Sequence, residues 1–251
     1  MFKGLPAIVL TGPVEESSGR KAVQLWLSLF FLVLIVVGLG VDSVQFRDAW
    51  FDGRQMANVL FVAYFMLMFY AMGRKLQRLM FVMTFLSYLG ELLCSEALGM
   101  YDYKGNAIPL YVPFGHAMVY ATGLILSQTP AVQNNKRYLK QVFAVIFVAL
   151  FAGAFVFAAD VFTLVFAMLF FWVLRRKKWD SKYYCIALCA VLVEFAGTGY
   201  GCWSWKPVLL GFLPAANPPL GAVFIYAGGD VILEKILFLW DKRKRSNKLT
   251  L

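Results

Sequence analysis

Blocks of apolar residues alternate with short clusters of basic residues along almost the whole chain. Each block has roughly 17 to 24 residues, which as a helix is long enough to cross a hydrocarbon layer about 30 Å thick. The pattern predicts an all-α, polytopic integral membrane bundle of about eight transmembrane helices. The predicted spans, with ends set to within about three residues, are 22–41, 56–73, 78–98, 112–128, 138–157, 160–175, 182–200 and 218–240.

The fifth and sixth predicted spans are separated by Ala158, Ala159 and Asp160 alone. Their combined length exceeds what one membrane-crossing helix needs, so we interpret them as a tight helical hairpin. The alternative is a single long tilted helix followed by a half-span.

Basic residues fall on one side of the membrane if there are eight spans. The opposite loops hold only Arg47, Arg54, Lys104 and Lys206. By the positive-inside tendency, we expect a multi-pass protein of the cell inner (cytoplasmic) membrane with both termini in the cytoplasm. The same clusters account for most of the +10 net charge, so we expect contact with anionic lipid and no nucleic-acid partner. The clustered cations are Arg74, Lys75, Arg78, Lys136, Arg137, Lys140, Arg175, Arg176, Lys177, Lys178, Lys182, Lys242, Arg243, Lys244, Arg245 and Lys248.

Two segments about a hundred residues apart follow the same order of unusual residues. Aligning them needs one four-residue difference in a loop and predicts an internal duplication of four spans plus four, related by an axis along the membrane normal. The predicted organisation is a cytoplasmic lead (1–21), two four-helix repeats (22–130 and 131–240) and a basic cytoplasmic tail (241–251). The segments read Gly99-x-Tyr101-x-Tyr103, Pro113-x-Gly115, Tyr120-x-x-Gly123, and Gly201-x-Trp203-x-Trp205, Pro219-x-Gly221, Tyr226-x-x-Gly229.

Ionisable residues inside the predicted spans are the candidates for chemistry, because such groups are costly in a membrane and face a bundle interior or a wet cavity. Glu91 belongs to a polar stripe on span three, and Glu194 lies at a similar depth in span seven. Asp230 and His116 lie on polar lines down spans eight and four. We therefore predict Glu91, Glu194, Asp230 and His116 as catalytic residues that converge in one cavity.

Aromatic and amide side chains around these positions are predicted to bind the substrate. Each has an alternative: aromatic residues also form interfacial belts, a lone His116 also serves packing, and Glu234 beside Lys235 is typical of an interfacial ion pair. The predicted substrate-binding residues are Tyr88, Tyr101, Tyr103, Tyr120, Trp203, Trp205, Asn217 and Tyr226.

Four cysteines are too few for a disulfide scaffold. Cys185 and Cys189 on the inner half of span seven are interpreted as packing residues, and Cys94 and Cys202 lie toward the outer side, where a bridge between them is an open alternative to two free thiols. The chain has no CxxC, HExxH, P-loop or GxGxxG motif and one histidine, so we predict no metal and no cofactor.

Two or three carboxyl groups in a low-dielectric cavity suit acid-base chemistry, because one can stay protonated as an acid while another accepts a proton. Protonation of an alkene, followed by attack of water on the cation, needs that arrangement, and aromatic walls stabilise a cation. The sequence thus favours a membrane-embedded enzyme that hydrates or isomerises a double bond of a lipophilic substrate.

The run Glu91 … Gly99-x-Tyr101-x-Tyr103 … Pro109-Leu110-x-Val112-Pro113 resembles the signature of the bacterial and archaeal carotenoid-biosynthesis membrane hydratases. These proteins add water to a terminal double bond of a C40 or C50 polyene. The resemblance covers some thirty residues. It implies a multi-span helical enzyme without metal or nucleotide, with an isoprenoid or carotenoid-like substrate and with Glu91, Tyr101 and Tyr103 in its site.

Two other classes fit the same pattern. A proton-coupled transporter or channel for a small solute also uses duplicated halves, broken helices and carboxylates near the midplane, with His116 as a pH sensor. A subunit that only stabilises other membrane proteins would not depend on any buried carboxylate. The sequence does not indicate an oligomeric state.

Overall fold

The computed structural model of the chain describes residues 18–249. Within that range the protein is an all-α bundle, as the apolar blocks predict, and it also contains two very small β-sheets. Its ten α-helices are α1 (Ser18–Val41), α2 (Val44–Ala49), α3 (Arg54–Ala71), α4 (Arg74–Glu91), α5 (Tyr111–Ser127), α6 (Pro130–Asn134), α7 (Lys136–Ala158), α8 (Val161–Arg176), α9 (Ser181–Gly199) and α10 (Val223–Leu249).

Eight of these helices are long, and they coincide with the eight predicted apolar segments. Four helical stretches, Gly19–Val41, Arg74–Ala97, Lys136–Ala158 and Ser181–Gly199, are long and apolar enough to cross a membrane. The other long helices are shorter, less apolar or more charged. The protein is therefore a helical membrane protein in which at least part of the bundle has the dimensions of a bilayer.

The hairpin between the fifth and sixth segments is present, and the alternative of one long helix is wrong. Ala159 adopts a left-handed conformation with φ of 50° and ends α7. The buried Asp160 then caps α8, since its Oδ1 accepts a hydrogen bond from the Thr163 amide at 2.8 Å. Phe147 of α7 packs on Phe170 of α8.

Helix α5 lies at the centre of the bundle and packs against α1, α3, α4 and α9. Its contact with α9 is close, because a Cβ added at Gly123 would lie 2.8 Å from the Ile186 backbone nitrogen. Small residues permit such approaches between membrane helices. The central helix thereby brings α4 of the first predicted repeat and α9 of the second to its two sides.

Four short strands lie in the segments between the helices. Strands β1 (Tyr101–Tyr103) and β2 (Trp203–Trp205) pair antiparallel, and β3 (Val208–Leu209) pairs with β4 (Leu213–Pro214). In β1 and β2 two aromatic residues flank one polar residue, and the aromatics are buried while the polar residue is exposed. This alternation has the period of a strand. We call the end of the bundle that carries these strands the strand end.

Residues 1–17, which are most of the predicted lead, lie outside the described residues. Helix α10 continues to Leu249, so most of the predicted tail at 241–251 extends the last helix. Pro113 lies in the first turn of α5, and Pro219 directly precedes a short 3-10 turn at Leu220–Ala222 that leads into α10. Both prolines thus lie where a helix begins, a position in which the missing N–H of proline is harmless.

Candidate functional site

A cavity of about 560 Å³ lies toward the strand end, between α4, α5, α9, α10 and the β1–β2 pair. Its volume is in the range of small-molecule sites, and its wall is mostly apolar. Glu91 and Glu194 both line it. The other predicted site residues in its wall are His116, Tyr101, Tyr103, Tyr120, Trp203, Trp205 and Tyr226.

Glu91 is held at the end of α4 by three hydrogen-bond partners. Its Oε2 accepts from the Tyr101 hydroxyl at 2.7 Å and from the Tyr103 hydroxyl at 2.6 Å, and its Oε1 lies 2.9 Å from His116 Nε2. Burial, reinforced by the Glu91 charge, raises the pKa of both tyrosines well above the ordinary value. The two hydroxyls therefore remain donors, and the carboxylate is fixed in one orientation.

Glu194 on α9 has the same kind of environment in the other half of the chain. Its Oε2 accepts from the indole nitrogens of Trp203 at 3.1 Å and Trp205 at 3.0 Å. Its Oε1 lies 3.5 Å from the Tyr226 hydroxyl, which is a long contact. Each buried glutamate is thus bound by the two aromatic residues of the strand that follows its own helix.

His116 and Tyr226 connect the two carboxylates. The imidazole ring of His116 stacks on the Tyr226 ring with 5.0 Å between centroids. His116 contacts Glu91, and Tyr226 contacts Glu194. The sequence Glu91, His116, Tyr226, Glu194 therefore forms a continuous row of polar groups across the cavity.

The β1–β2 pair positions all four aromatic donors. Tyr101 lies opposite Trp205, and Tyr103 lies opposite Trp203, in an antiparallel register centred on Asp102. Tyr101 and Trp205 also pack ring to ring at 4.5 Å between centroids. Because side chains alternate along a strand, all four rings lie on the buried face, where they donate to the two glutamates.

The two halves differ by one residue between carboxylate and strand. Ten positions separate Glu91 from Tyr101, and nine separate Glu194 from Trp203. The extra residue is accommodated where α4 continues as a π-helix at Leu92–Ala97, a wider turn that inserts one residue into an α-helix. As a result both glutamates reach the same cavity.

Three predicted site residues do not line the cavity. Asp230 is buried on α10 and its Oδ2 accepts from Lys182 Nζ at 2.7 Å, so the prediction that all three carboxylates share one cavity is wrong for Asp230. Tyr88 lies on the exposed side of α4. Asn217 lies behind β2, where its Oδ1 accepts from the Trp205 amide at 3.0 Å, and it thus supports the strand.

Sequence reasoning missed the buried Asp42 just after α1. Its Oδ2 accepts from the Tyr111 hydroxyl at 2.9 Å, and its Oδ1 lies 2.8 Å from Lys104 Nζ and 3.5 Å from Arg54 Nε. Lys104 also donates to Asp52, which lowers the pKa of that carboxyl. In the sequence, Asp42 is an ordinary acidic residue at the end of an apolar run, and no spacing links it to its partners.

All four cysteines, including Cys94 and Cys202, are free thiols. Among residues 18–249, no three side chains of the types that ligate metals are grouped closely enough to hold an ion. The site is therefore described by its carboxylates, its imidazole and its aromatic donors.

Gly197 allows the Trp203 indole to reach Glu194. A Cβ at Gly197 would lie 1.8 Å from the Trp203 ring, whereas a Cβ at Gly199 would have no neighbour within 4 Å. We expect Gly197→Ala to displace the ring, weaken the indole bond to Glu194 and lower stability by about 1–3 kcal/mol. Gly199→Ala is the matched control, and thermal unfolding in detergent compares the two. Equal unfolding temperatures for both variants would contradict this assignment.

No protein-family model matches the chain, and neither a curated protein nor a solved structure is significantly similar to it.

Proposed function

We propose that this protein is a membrane-embedded enzyme that hydrates or isomerises a double bond of a lipophilic substrate. The observation that carries the proposal is that Glu91 and Glu194 share one mostly apolar cavity. Each carboxylate is fixed by two aromatic donors. A cavity of this kind excludes bulk water and still holds groups that transfer protons.

The Glu91–His116 pair is the proton donor in this scheme. The carboxylate at 2.9 Å orients the imidazole, and the His116 side chain retains 20% exposure toward the cavity. An imidazole oriented by a carboxylate is a common general acid or base. Glu194, on the other side of the cavity, is the proton acceptor.

Hydration would balance as follows. The acid gives a proton to one carbon of the double bond, which leaves a cation on the other carbon. Water adds its oxygen to that cation, and Glu194 takes the released proton. Before the next turnover Glu194 gives its proton to water and His116 takes one up, because the Tyr226–His116 contact is ring stacking and provides no hydrogen bond for proton transfer. In isomerisation, Glu194 would instead remove a proton from a neighbouring carbon.

The aromatic wall supports a cationic intermediate. Tyr101, Tyr103, Trp203 and Trp205 are all in the cavity wall, and an aromatic ring attracts a cation by about 0.5–2 kcal/mol. A polyene, as the resemblance to carotenoid hydratases implies, would give a delocalised cation. It is therefore a suitable class of first substrates to test.

The row of polar groups also suits a proton-coupled carrier, which is the second candidate function. Helix α10 continues that row as Tyr226, Asp230 and Glu234. These residues lead away from the strand end toward the opposite end of the bundle, which carries the clusters of basic residues and which we call the basic end. There, however, Asp230 and Glu234 are both bound to Lys182. Because these ion pairs occupy both carboxylates, they interrupt the row of polar groups before it reaches the basic end. We therefore rank the enzyme above the carrier.

We also infer that the chain arose by duplication and that all eight long helices cross the membrane. Supporting this, the cross-strand bond from the Lys104 amide to the Cys202 carbonyl has a partner from the Lys206 amide to the Met100 carbonyl, each at 2.9 Å. The residues before the two strands, Gly99 and Gly201, both have positive φ. With eight spans, the strand end faces away from the cytoplasm and both termini face it.

The test is a comparison of membrane lipids from host cells that produce either the wild-type chain or His116→Ala. We expect the wild type to accumulate a species that is isomeric with a host or supplied polyene, or heavier by one water molecule, as identified by mass spectrometry. His116→Ala should lower its amount by a factor of about 10²–10⁴.

A second assay separates the two functions. Proton uptake into vesicles that contain the purified protein should be equal for the wild type and His116→Ala if the protein is an enzyme. Uptake that depends on His116, without any new lipid species, would replace the enzyme by the carrier.

A further inference from the structure

The cavity reaches the surface of the bundle between α4 and α10. Leu89 and Leu93 on the α4 side and Ile232 on the α10 side all line the cavity. They are nevertheless 62%, 55% and 51% exposed at the protein surface. Residues that are both cavity wall and outer surface mark an opening, and this opening faces sideways from the bundle, not along its axis.

Glycines lie at the rim of this opening, which we call the side window. A Cβ added at Gly90 on α4, or at Gly228 on α10, would meet no atom within 4 Å. The opposite wall is closed, because Phe31, Ile35 and Phe61 are each no more than 3% exposed. The space in front of the two glycines is therefore free for a ligand.

The two helices that border the window are joined at other levels. Near the basic end Arg78 of α4 donates to Asp241 of α10 at 2.7 Å. Closer to the cavity the two helices approach each other, because a Cβ added at Gly229 of α10 would lie 3.4 Å from the Met83 side chain of α4. The opening is thus a defined window with contacts below it, and does not run the full length of the two helices.

The charge of the wall restricts what enters. Among the described residues that line the cavity, the charged types are Glu91 and Glu194, and no lysine or arginine is present. A phosphate or carboxylate group placed there would meet two like charges, because the one basic side chain among these lining residues, His116, is already paired with Glu91. That is strongly unfavourable in an apolar cavity. The end of the ligand that reaches the glutamates is therefore not anionic.

The size of the cavity restricts how much of the ligand enters. A cavity of about 560 Å³ lies within the range of about 300–1,000 Å³ that is usual for small-molecule sites, so it takes up one part of a long lipid chain. A longer chain must pass out through the window, where exposed leucine and isoleucine side chains continue the apolar surface.

We propose that the ligand is a single-chain lipid whose uncharged end enters through the window between α4 and α10 while the rest of its chain stays in the bilayer. The inference rests on the proposed function for the placement of the bundle in a membrane. It adds the route by which the ligand enters, which is the side window, and the chemical class of the end that reaches the glutamates, which is uncharged.

Binding in lipid nanodiscs tests the route. The probes are the C20 isoprenoid alcohol geranylgeraniol and its diphosphate, which have the same chain and differ at one end. We expect Gly90→Trp and Gly228→Trp each to weaken binding of the alcohol by at least tenfold, because the indole fills the window. Gly153→Trp is the matched control, since Gly153 lies on α7 away from the cavity and its Cβ would meet only Phe157 at 3.9 Å.

The probe pair tests the class. We expect the alcohol to bind the wild type at least tenfold more tightly than the diphosphate. Equal or tighter binding of the diphosphate, with displacement by inorganic diphosphate, would overturn the proposal of an uncharged entering end, because the free anion competes only for a site that holds the charged end. Unchanged binding by both window variants, with thermal unfolding like that of the control, would overturn the route. If the alcohol binds as expected but no polyene is converted, the enzyme proposal fails while the window and its ligand class stand.

Discussion

Glu91→Gln and Glu194→Gln are each expected to reduce product formation by a factor of about 10²–10⁴ while leaving the fold intact. The amide is nearly isosteric with the carboxylate, and its oxygen can still accept both aromatic donors, from Tyr101 and Tyr103 or from Trp203 and Trp205. What is lost is the charge and the ability to take up or give up a proton. Lipid mass spectrometry and thermal unfolding in detergent measure the two effects separately.

The double variant is the sharper test. If the Glu91–His116 pair and Glu194 act as acid and base in one reaction, removing the second glutamate after the first should cost little more, because residues that work as a unit are strongly non-additive. Glu96→Gln is the matched control: this glutamate lies in the π-helix near Glu91 but is exposed. Losses that multiply in the double variant would argue against a shared reaction, and a control as inactive as Glu91→Gln would argue against a role for the cavity.

Lys182→Met is expected to give the largest loss of stability in the chain. Lys182 and Asp230 are 4% and 2% exposed, and the Lys182 ammonium also pairs with Glu234. Removing one partner leaves buried charge without compensation, which costs about 3–5 kcal/mol. For a chain of this length that corresponds to a fall in Tm on the order of 10 °C. Thermal unfolding in detergent micelles measures it.

Lys177→Met is the control for that experiment, because Lys177 pairs with the same Glu234 but its side chain is 30% exposed. Exposed pairs contribute about 0–1 kcal/mol, so its Tm should stay within about 3 °C of the wild type. Adding Asp230→Leu to Lys182→Met should recover part of the loss, since the unpaired carboxylate is then removed. Similar Tm values for the two lysine variants would show that Lys182 is not the buried partner described above.

The helices were predictable because each corresponds to a block of apolar residues that ends at a recognisable sequence signal. The break after α7, for example, is marked by Asp160, which caps α8. The position of Glu91 and Glu194 along their apolar segments also indicates that both lie at a similar depth, because depth in a membrane span follows from the distance to the end of the segment. That much needs only the length of each block and the cost of burying charge.

The partners of the buried carboxylates were not predictable in the same way. Asp230 and Glu91 look alike in the sequence, since each is one acidic residue in an apolar helix. One pairs with Lys182 and the other with aromatic hydroxyls. Lys182, which is 48 residues from Asp230, belongs to a basic cluster that the positive-inside pattern assigns to the cytoplasmic surface. Such choices are set by how the helices rotate against each other.

The β1–β2 pair was missed for a related reason. Each strand has three residues, too few for a periodic pattern, and its stability depends on a partner about a hundred residues away. The π-helix at Leu92–Ala97 is equally hidden. A comparison of the halves at the offset of 102 between Tyr101 and Trp203 places Val193, and not Glu194, opposite Glu91.

The antiparallel pairing of β1 with β2 has a mechanical consequence. It fastens the polypeptide of one half to that of the other by main-chain hydrogen bonds, directly above the glutamates. A bulky guest cannot be admitted by parting the bundle at that end without breaking this ladder. Loading and release therefore depend on the side window between α4 and α10, while the ladder keeps the strand end closed.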